Sequence, residues 1–240
     1  MAKILLFDIE SSNLNADFGR VLCVGYKWHG EKKVKIIRIT DSPTFKKDCT
    51  DDSYVVGEFQ KITEQADMLV SWFGVRFDVP FLQSRLLVHG LPLIPPIPHF
   101  DGWWVARKKL KLHSNRLASV QAFLGLPTSK TIIEPNLWVK AMSGNKDAIR
   151  YVEDHCYKDV DVLEQAYDRI KTLLPTHANV GMMDDRPDCC AVCGEKGSYE
   201  RRGTYTSKAK KVFRFKCSKC GSWTLGTKNI AFLQPEKVAA

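Results

Sequence analysis

No apolar run in this chain approaches membrane-spanning length. The only N-terminal one, Ile4 to Phe7, is cut short by Asp8, whereas a transmembrane helix needs ~20 apolar residues. It is too short for an export signal as well, so cytoplasmic residence is expected and membrane contact is not. Internal repeats and low-complexity tracts are also missing, which excludes a repeat array. A third scarcity is local. From Arg186 onward there are 4 Asp/Glu against 12 Lys/Arg, leaving 23 and 24 for the first 185 residues out of totals of 27 and 36. Nearly all of the +9 formal charge therefore belongs to the tail. A segment so poor in acid suits contact with phosphates, a solvated basic face being the alternative.

What is present fits a two-part protein. With 240 residues, 44% of them apolar, the chain can bury a full core and carry a small second domain. Its eight cysteines are not expected to form a disulfide framework in a reducing compartment. Cys23 and Cys156 lie among apolar residues and read as buried thiols, and Cys49 has no evident partner. The remaining set is different. Cys190-x-x-Cys193-Gly and Cys217-x-x-Cys220-Gly are two metal knuckles, the glycines allowing the tight turn, and four sulfurs complete a closed tetrahedral zinc site. Cys189 offers another register, but only Cys190 gives the two-residue spacing. Having no open position, such a site is structural. Between the knuckles, alternation predicts a hairpin in which Arg and Lys are interleaved with Tyr199, Tyr205, Phe213 and Phe215. That mixture serves backbone contact and base stacking, or the ribbon's own core.

Residues 3–10 read as a strand buried on both faces. Arg20–Trp28 and Lys33–Ile39 complete a meander about a turn at His29–Glu31. A helix over Asp52–Gln65 and a strand over Asp67–Phe73 follow, then a helix over Asp78–His89 with Pro80 in its first turn. Leu91–Pro98, with four prolines, reads as an extended connector. Helices are expected over Trp103–Leu110 and Ser114–Leu124, the second capped by Ser114, and a long one from Lys146 to Leu174, broken near His155. The domains expected are 1–175, a linker over 176–187, and a ribbon over 188–240. Strands first and helices interleaved later imply an α/β fold with a mixed sheet flanked by helices.

Four acidic residues stand out. Asp8 and Glu10, two apart on a strand, share a face and repel each other unless a cation lies between them, or unless the strand end is solvated. Asp78 opens a helix after a strand, the position of an ordinary N-cap as well as of a metal ligand. On a helical wheel of ~100° per residue, Asp159 falls inside the stripe formed by Val152, Cys156, Val160, Leu163, Ala166, Tyr167 and Ile170. His155 is at its border, while Tyr157 and Asp161 face the wet side. A carboxylate on an apolar stripe needs a partner, and a metal ion supplies one. The other histidines (His29, His89, His99, His113 and His177) show no partner pattern and are expected to face solvent. Asp101 either supports the site or caps a helix.

Phe7-Asp8-Ile9-Glu10, Phe77-Asp78-Val79-Pro80 and a helix with His155 four residues before Asp159 resemble the three motifs of the DEDD superfamily of 3′–5′ exonucleases, which has the ribonuclease H-like fold. Gly25-Tyr26-Lys27-Trp28, Asp101, Ala106-Arg107-Lys108 and Asn136-Leu137-Trp138 extend the resemblance to a group common in bacteriophage genomes, whose nuclease domain is followed by a zinc ribbon. The likeness covers nearly the whole chain. Two positions depart from it: Phe73 stands where many members carry Asn, and His155 where members of this spacing carry Tyr. The resemblance implies that Asp8, Glu10, Asp78 and Asp159 hold two Mg²⁺ or Mn²⁺ ions and that His155 orients and deprotonates the attacking water. An imidazole, with an ordinary pKa of about 6.5, suits that role. Implied partners are nucleic acid, with single strands or 3′ ends of DNA favoured over RNA, and replication or repair proteins. Two other readings remain: a ribonuclease H-like endonuclease, and a non-catalytic nucleic-acid-binding protein.

Overall fold

The computed structural model describes residues 2–127, 134–174 and 176–226. Met1, Pro175 and the end of the expected ribbon, 227–240, lie outside them. The chain divides into two compact units, residues 3–168 and residues 169–240 with the first two.

The first unit is built on β1 (Ile4–Ser11), β2 (Val21–Trp28), β3 (Lys35–Arg38), β4 (Met68–Ser71) and β5 (His99–Asp101). Their order in the sheet is β3-β2-β1-β4-β5. The β1–β2 and β2–β3 pairs are antiparallel, and the β1–β4 and β4–β5 pairs parallel. Interleaved with them are α1 (Ser53–Thr63), α2 (Asp78–Val88), α3 (Gly102–Lys109), α4 (Leu117–Phe123), α5 (Pro135–Met142) and α6 (Lys146–Ile170). This is the mixed sheet with helices on its faces that the order of elements implies. Central β1 buries Ile4, Leu5, Leu6, Phe7 and Ile9 almost completely. Each such side chain contributes ~1.5–3 kcal/mol of burial, so the strand carrying Asp8 and Glu10 is among the most firmly held in the unit.

Several local expectations change. Helix α4 begins at Leu117, and the Ser114 hydroxyl accepts the Arg116 N–H in the turn before it rather than capping the helix. α6 runs unbroken through His155, because its apolar stripe continues without interruption on both sides of that residue. β5 emerges from the end of the proline-rich stretch, three residues being too few to show a period. α5, with Pro135 in its first turn, is a further helix beyond those that the sequence pattern predicts.

In the second unit, the stretch expected to be a linker contains α7 (Val180–Met183), capped by the Asn179 side chain, which accepts the Met182 N–H at 3.1 Å. A separate antiparallel sheet follows in the order β6 (Tyr199–Thr206), β7 (Lys211–Cys217), β8 (Trp223–Gly226). Its small core is Cys190, Val192, Tyr199, Phe215 and Cys217. Of the four aromatics expected in the hairpin, Tyr199 and Phe215 are therefore core, Phe213 packs on it, and only Tyr205 is exposed.

Candidate functional site

Asp8 and Glu10 lie in the second half of β1, facing α6. The helix comes close there because the residue paired with Asp8 on β2 is Gly25. A Cβ at Gly25 would lie 2.9 Å from Cys156 Sγ and 3.1 Å from Val160, so any side chain would push α6 off the sheet. With that approach secured, His155 Nε2 stands 3.9 Å from a Glu10 carboxylate oxygen and 3.6 Å from one of Asp159. Oxygens of Asp8 and Glu10 and the sulfur of Cys156 lie within 4.8 Å of one another. Cys156 is fully buried, and its thiol points at the Asp8 carbonyl oxygen, 3.5 Å away. The contact with Cys23, burial and the nearby carboxylates push its pKa up, so it lines the floor as a neutral thiol.

Asp78 reaches the same place from the first turn of α2. One of its oxygens accepts the Ile9 N–H at 3.1 Å, tying the helix start to β1 between the two acids. The loop delivering it is held from below. Phe73 has φ of +72°, a left-handed conformation that costs a bulky residue energy and that Asn or Gly adopts more readily. Asp101 offsets that cost: its carboxylate accepts the N–H groups of Phe73 (2.9 Å), Val75 (3.1 Å) and Trp103 (3.0 Å). Phe73 also packs edge-on against Trp103, with ring centres 5.0 Å apart. At Gly74 a Cβ would sit 2.1 Å from the Ser71 hydroxyl oxygen, leaving no room for another residue. The side-chain cap and the loop anchor are thus one carboxylate, which joins the two roles left open for Asp101.

The electrostatics are those of acids crowded together. Burial, and then Asp78, Glu10 and Asp159, push the Asp8 carboxyl well above its usual range. Burial, Asp159 and Asp78 do the same to Glu10. Burial brings Asp78 up to about 7 despite the Ile9 N–H bond, and burial raises Asp159 while His155 opposes the shift. Among the described residues no Lys or Arg forms an ion pair with any of the four. Hard oxygen donors gathered in this way fit Mg²⁺ or Mn²⁺: Asp8 and Glu10 lie close enough to share an ion, and Asp78 and Asp159 stand near enough to raise the Asp8 pKa.

Other expectations need correction. Asp161 does not simply face water: it lies 3.6 Å from Lys27 Nζ, which also pairs with Glu164, fastening α6 to β2. Tyr157 is exposed. Of the histidines expected in solvent, His99 is bonded to the Ser71 hydroxyl at 2.7 Å, and burial lowers its pKa to about 4. His89 bonds the fully buried Asp52 at 2.6 Å, His29 bonds Asp168, and His177 is buried. His113 is exposed. Ser71, a hydroxyl ending the apolar run of β4, is a clue to the His99 pairing, whereas Asp52, set among Thr50, Asp51 and Ser53, gives no local sign of its burial.

In the second unit, Cys190 and Cys220 sulfurs are 3.8 Å apart, as are those of Cys193 and Cys217, and all four lie within 4.8 Å of one another. Sulfurs ~2.3 Å from one zinc stand ~3.8 Å apart along the edges of its tetrahedron, so this set fits Zn²⁺. Gly194 and Gly221, with φ of +69° and +74°, close the two knuckles. The Val192 and Cys220 N–H groups point at the Cys190 and Cys217 sulfurs. Burial opposes ionisation of Cys190, but bonds from Ser222 and the Cys193 and Val192 amides outweigh it and bring its pKa to about 6. Cys189 takes no part in the cluster.

A five-stranded mixed sheet in the order 3-2-1-4-5, with acids on its central strand, defines the ribonuclease H-like class. The chain belongs to the RNase_H superfamily, whose family model matches residues 5–171. A comparison with curated proteins finds no match. Among solved structures the chain is similar to the family B DNA polymerase from the hyperthermophilic archaeon Pyrobaculum calidifontis, with 17% identity and a TM-score of 0.57. The match covers 72% of this chain and 25% of the polymerase, so this chain spans about a quarter of that protein's length and the likeness is one of fold. Among the described residues no helix is long and apolar enough to cross a membrane.

Proposed function

We propose that the protein is a divalent-metal-dependent 3′–5′ exonuclease that hydrolyses phosphodiester bonds of nucleic acid, with residues 1–175 as the nuclease, 176–187 as the linker and 188–240 as a zinc-ribbon binding module. The observation that carries this reading is the convergence of Asp8, Glu10, Asp78 and the half-exposed Asp159 beside His155, with no Lys or Arg among the described residues paired with any of the four. Four carboxylates held together against their own repulsion store a demand for cations that a structural site would not need.

Two Mg²⁺ or Mn²⁺ ions there would supply charge neutralisation and Lewis-acid polarisation of the phosphodiester. The chain's own groups do the rest. Asp78, fixed by the Ile9 N–H, and Asp8, on the central strand, would hold the ions that neutralise the scissile phosphate. His155 faces both Glu10 and Asp159, so a proton it takes from the attacking water leaves an imidazolium between two acids. We put DNA ahead of RNA on the likeness to a DNA polymerase, and single strands or 3′ ends ahead of internal duplex on the three-motif resemblance.

End-labelled single strands of DNA and RNA, with free and with blocked 3′ ends, test the proposal in the presence of Mg²⁺ or Mn²⁺. Stepwise release of mononucleotides from free 3′ ends is expected, with blocked ends resisting. Internal fragments from blocked strands would make it an endonuclease. Tight binding without release would make it a binding protein on a nuclease scaffold.

A further inference from the structure

The small sheet of the second unit has two unlike faces. Tyr199 and Phe215 point inward and, with Val192 and the cysteines, complete the core. Strand alternation then places Arg214 and Lys216, which flank Phe215, on the opposite face. Their antiparallel partners share that face: Leu225 stands opposite Arg214, Trp223 opposite Lys216, and Tyr205 opposite Val212. Tyr205, Trp223 and Leu225 are each about half exposed. Single exposed apolar side chains are ordinary, but here the inner face already supplies the core, and among the described residues these three take no part in it.

Their neighbours are cationic. The Arg214 guanidinium lies 5.4 Å from the centre of the Trp223 ring, and Lys216 Nζ lies 6.0 Å from it. Three more exposed lysines, Lys208, Lys210 and Lys211, crowd the hairpin end of the same sheet. The acid on this face, Glu200 opposite Lys216, is neutralised by Arg202. A flat aromatic ring ringed by cations matches a nucleobase between two phosphates, because every base offers a π face while the cations follow the backbone. The bases of a duplex are already stacked and cannot reach such a ring.

We propose that the outer face of β6–β8 is a binding platform for single-stranded nucleic acid, with a base stacked on Trp223 and the flanking phosphates taken by Arg214 and Lys216. This rests on the reading of the ribbon as a nucleic-acid-binding module but not on cleavage. Sequence alone offers Tyr199, Tyr205, Phe213 and Phe215 for stacking or for the ribbon's own core; Tyr199, Phe213 and Phe215 lie on the core side, Tyr205 shares the outer face, and the geometry adds Trp223 to it.

The test uses the full chain, without added Mg²⁺ or Mn²⁺, and a circular oligothymidylate, which offers no end to the carboxylate site. Fluorescence anisotropy reads its affinity, and elemental analysis verifies that each variant keeps its zinc. Trp223→Ala should weaken binding roughly 5- to 100-fold, the usual range for losing one stacked base, and Trp223→Phe should restore most of it. Arg214→Gln/Lys216→Gln should also weaken binding and flatten the slope of log affinity against log salt by about 0.7 for each cation removed. Wild-type affinity in these zinc-loaded variants overturns the platform, as does a duplex that binds as tightly as the circle. If linear strands are still degraded in that case, the nuclease reading survives it. If the circle binds as expected while no strand is ever shortened, the platform stands and the nuclease reading falls.

Discussion

The carboxylate site of the first unit and the cysteine cluster of the second both gather ligands for metal, but they are held together in opposite ways. Asp8, Glu10, Asp78 and Asp159 come from three elements spread over most of the chain, each fixed by a large core: β1 by Leu5, Phe7 and Ile9, α2 by Phe81, Leu82 and Leu86, and α6 by Ile149, Val152 and Val160. The four cysteines come from 31 consecutive residues whose buried cluster consists of five side chains, two of them ligands. In the first unit the fold holds acids against their mutual repulsion and waits for a cation. In the second a bound cation would help to hold the fold, since so small a core among the described residues offsets little of the entropy of ordering the chain.

This contrast is broken most directly at the ligands. Asp8→Ala or Asp78→Ala is expected to abolish nucleotide release while thermal unfolding stays cooperative, because each removes a source of repulsion and little apolar packing. A variant that cleaves at the wild-type rate would put the metals elsewhere. Cys193→Ser or Cys220→Ser should do the reverse. Structural zinc contributes ~10–16 kcal/mol to a small domain, so the variants should lose one zinc per chain by elemental analysis, and amides of β6–β8 should exchange freely while those of β1 stay protected. Retained zinc would show that three thiolates suffice and that the knuckles are stiffer than their core suggests.

The two regions also differ in how much of them could be read from sequence. The knuckles are local: spacing and glycine suffice, and the hairpin between them follows from alternation. Central β1 and the stripe on α6 were equally legible, since an uninterrupted apolar pattern is a property of one element. What could not be read depends on residues distant in sequence. Gly25 matters because α6 passes over it, a closeness visible only once Cys156 and Val160 are in place. Asp101 is legible as a helix cap but not as the anchor of Phe73 and Val75, 26–28 residues earlier. His99 and His89 seemed solvent-facing because their partners, Ser71 and Asp52, belong to other elements. Faces of the ribbon sheet were missed for a related reason: alternation separates Phe213 and Phe215 from Arg214 and Lys216, but not which set is inside.

A smaller effect sharpens the comparison within the first unit. His155 lines the site without being one of its carboxylates, so His155→Ala should keep the fold and slow turnover roughly 10²–10⁴-fold, the usual contribution of a general base. His155→Tyr should regain part of that loss. On the same helix, Asp159→Asn should be inactive, whereas Asp161→Asn should cleave normally and lose at most ~1 kcal/mol through its partly exposed pair with Lys27. Single-turnover rates with saturating Mn²⁺ measure all four. An inactive Asp161→Asn beside an active Asp159→Asn would reverse the assignment of the two acids.

The smallest effect concerns stability. Asp78 has a usual carboxyl pKa of 3.8 and one of about 7 in the folded chain, raised chiefly by burial. Between those values the folded chain holds a proton that the unfolded chain has released, so stability is full below the lower value and declines as pH rises through the upper one. His99 acts in the opposite sense: buried and neutral, its pKa falls from 6.5 to about 4, and stability increases across that interval as the unfolded state gives up its extra proton. The two are separated by Asp78→Asn. Without added divalent ions, the Tm of the variant should gain on that of the wild type as pH is raised from 4 to 8, because the variant no longer confines an ionised acid. Mg²⁺ or Mn²⁺ should then raise the wild-type Tm more at pH 8 than at pH 5, since it binds the deprotonated form, and should move the variant less. Parallel Tm profiles for the two proteins would mean that Asp78 is already neutralised by something in the chain itself, and the first unit would then not be waiting for a cation.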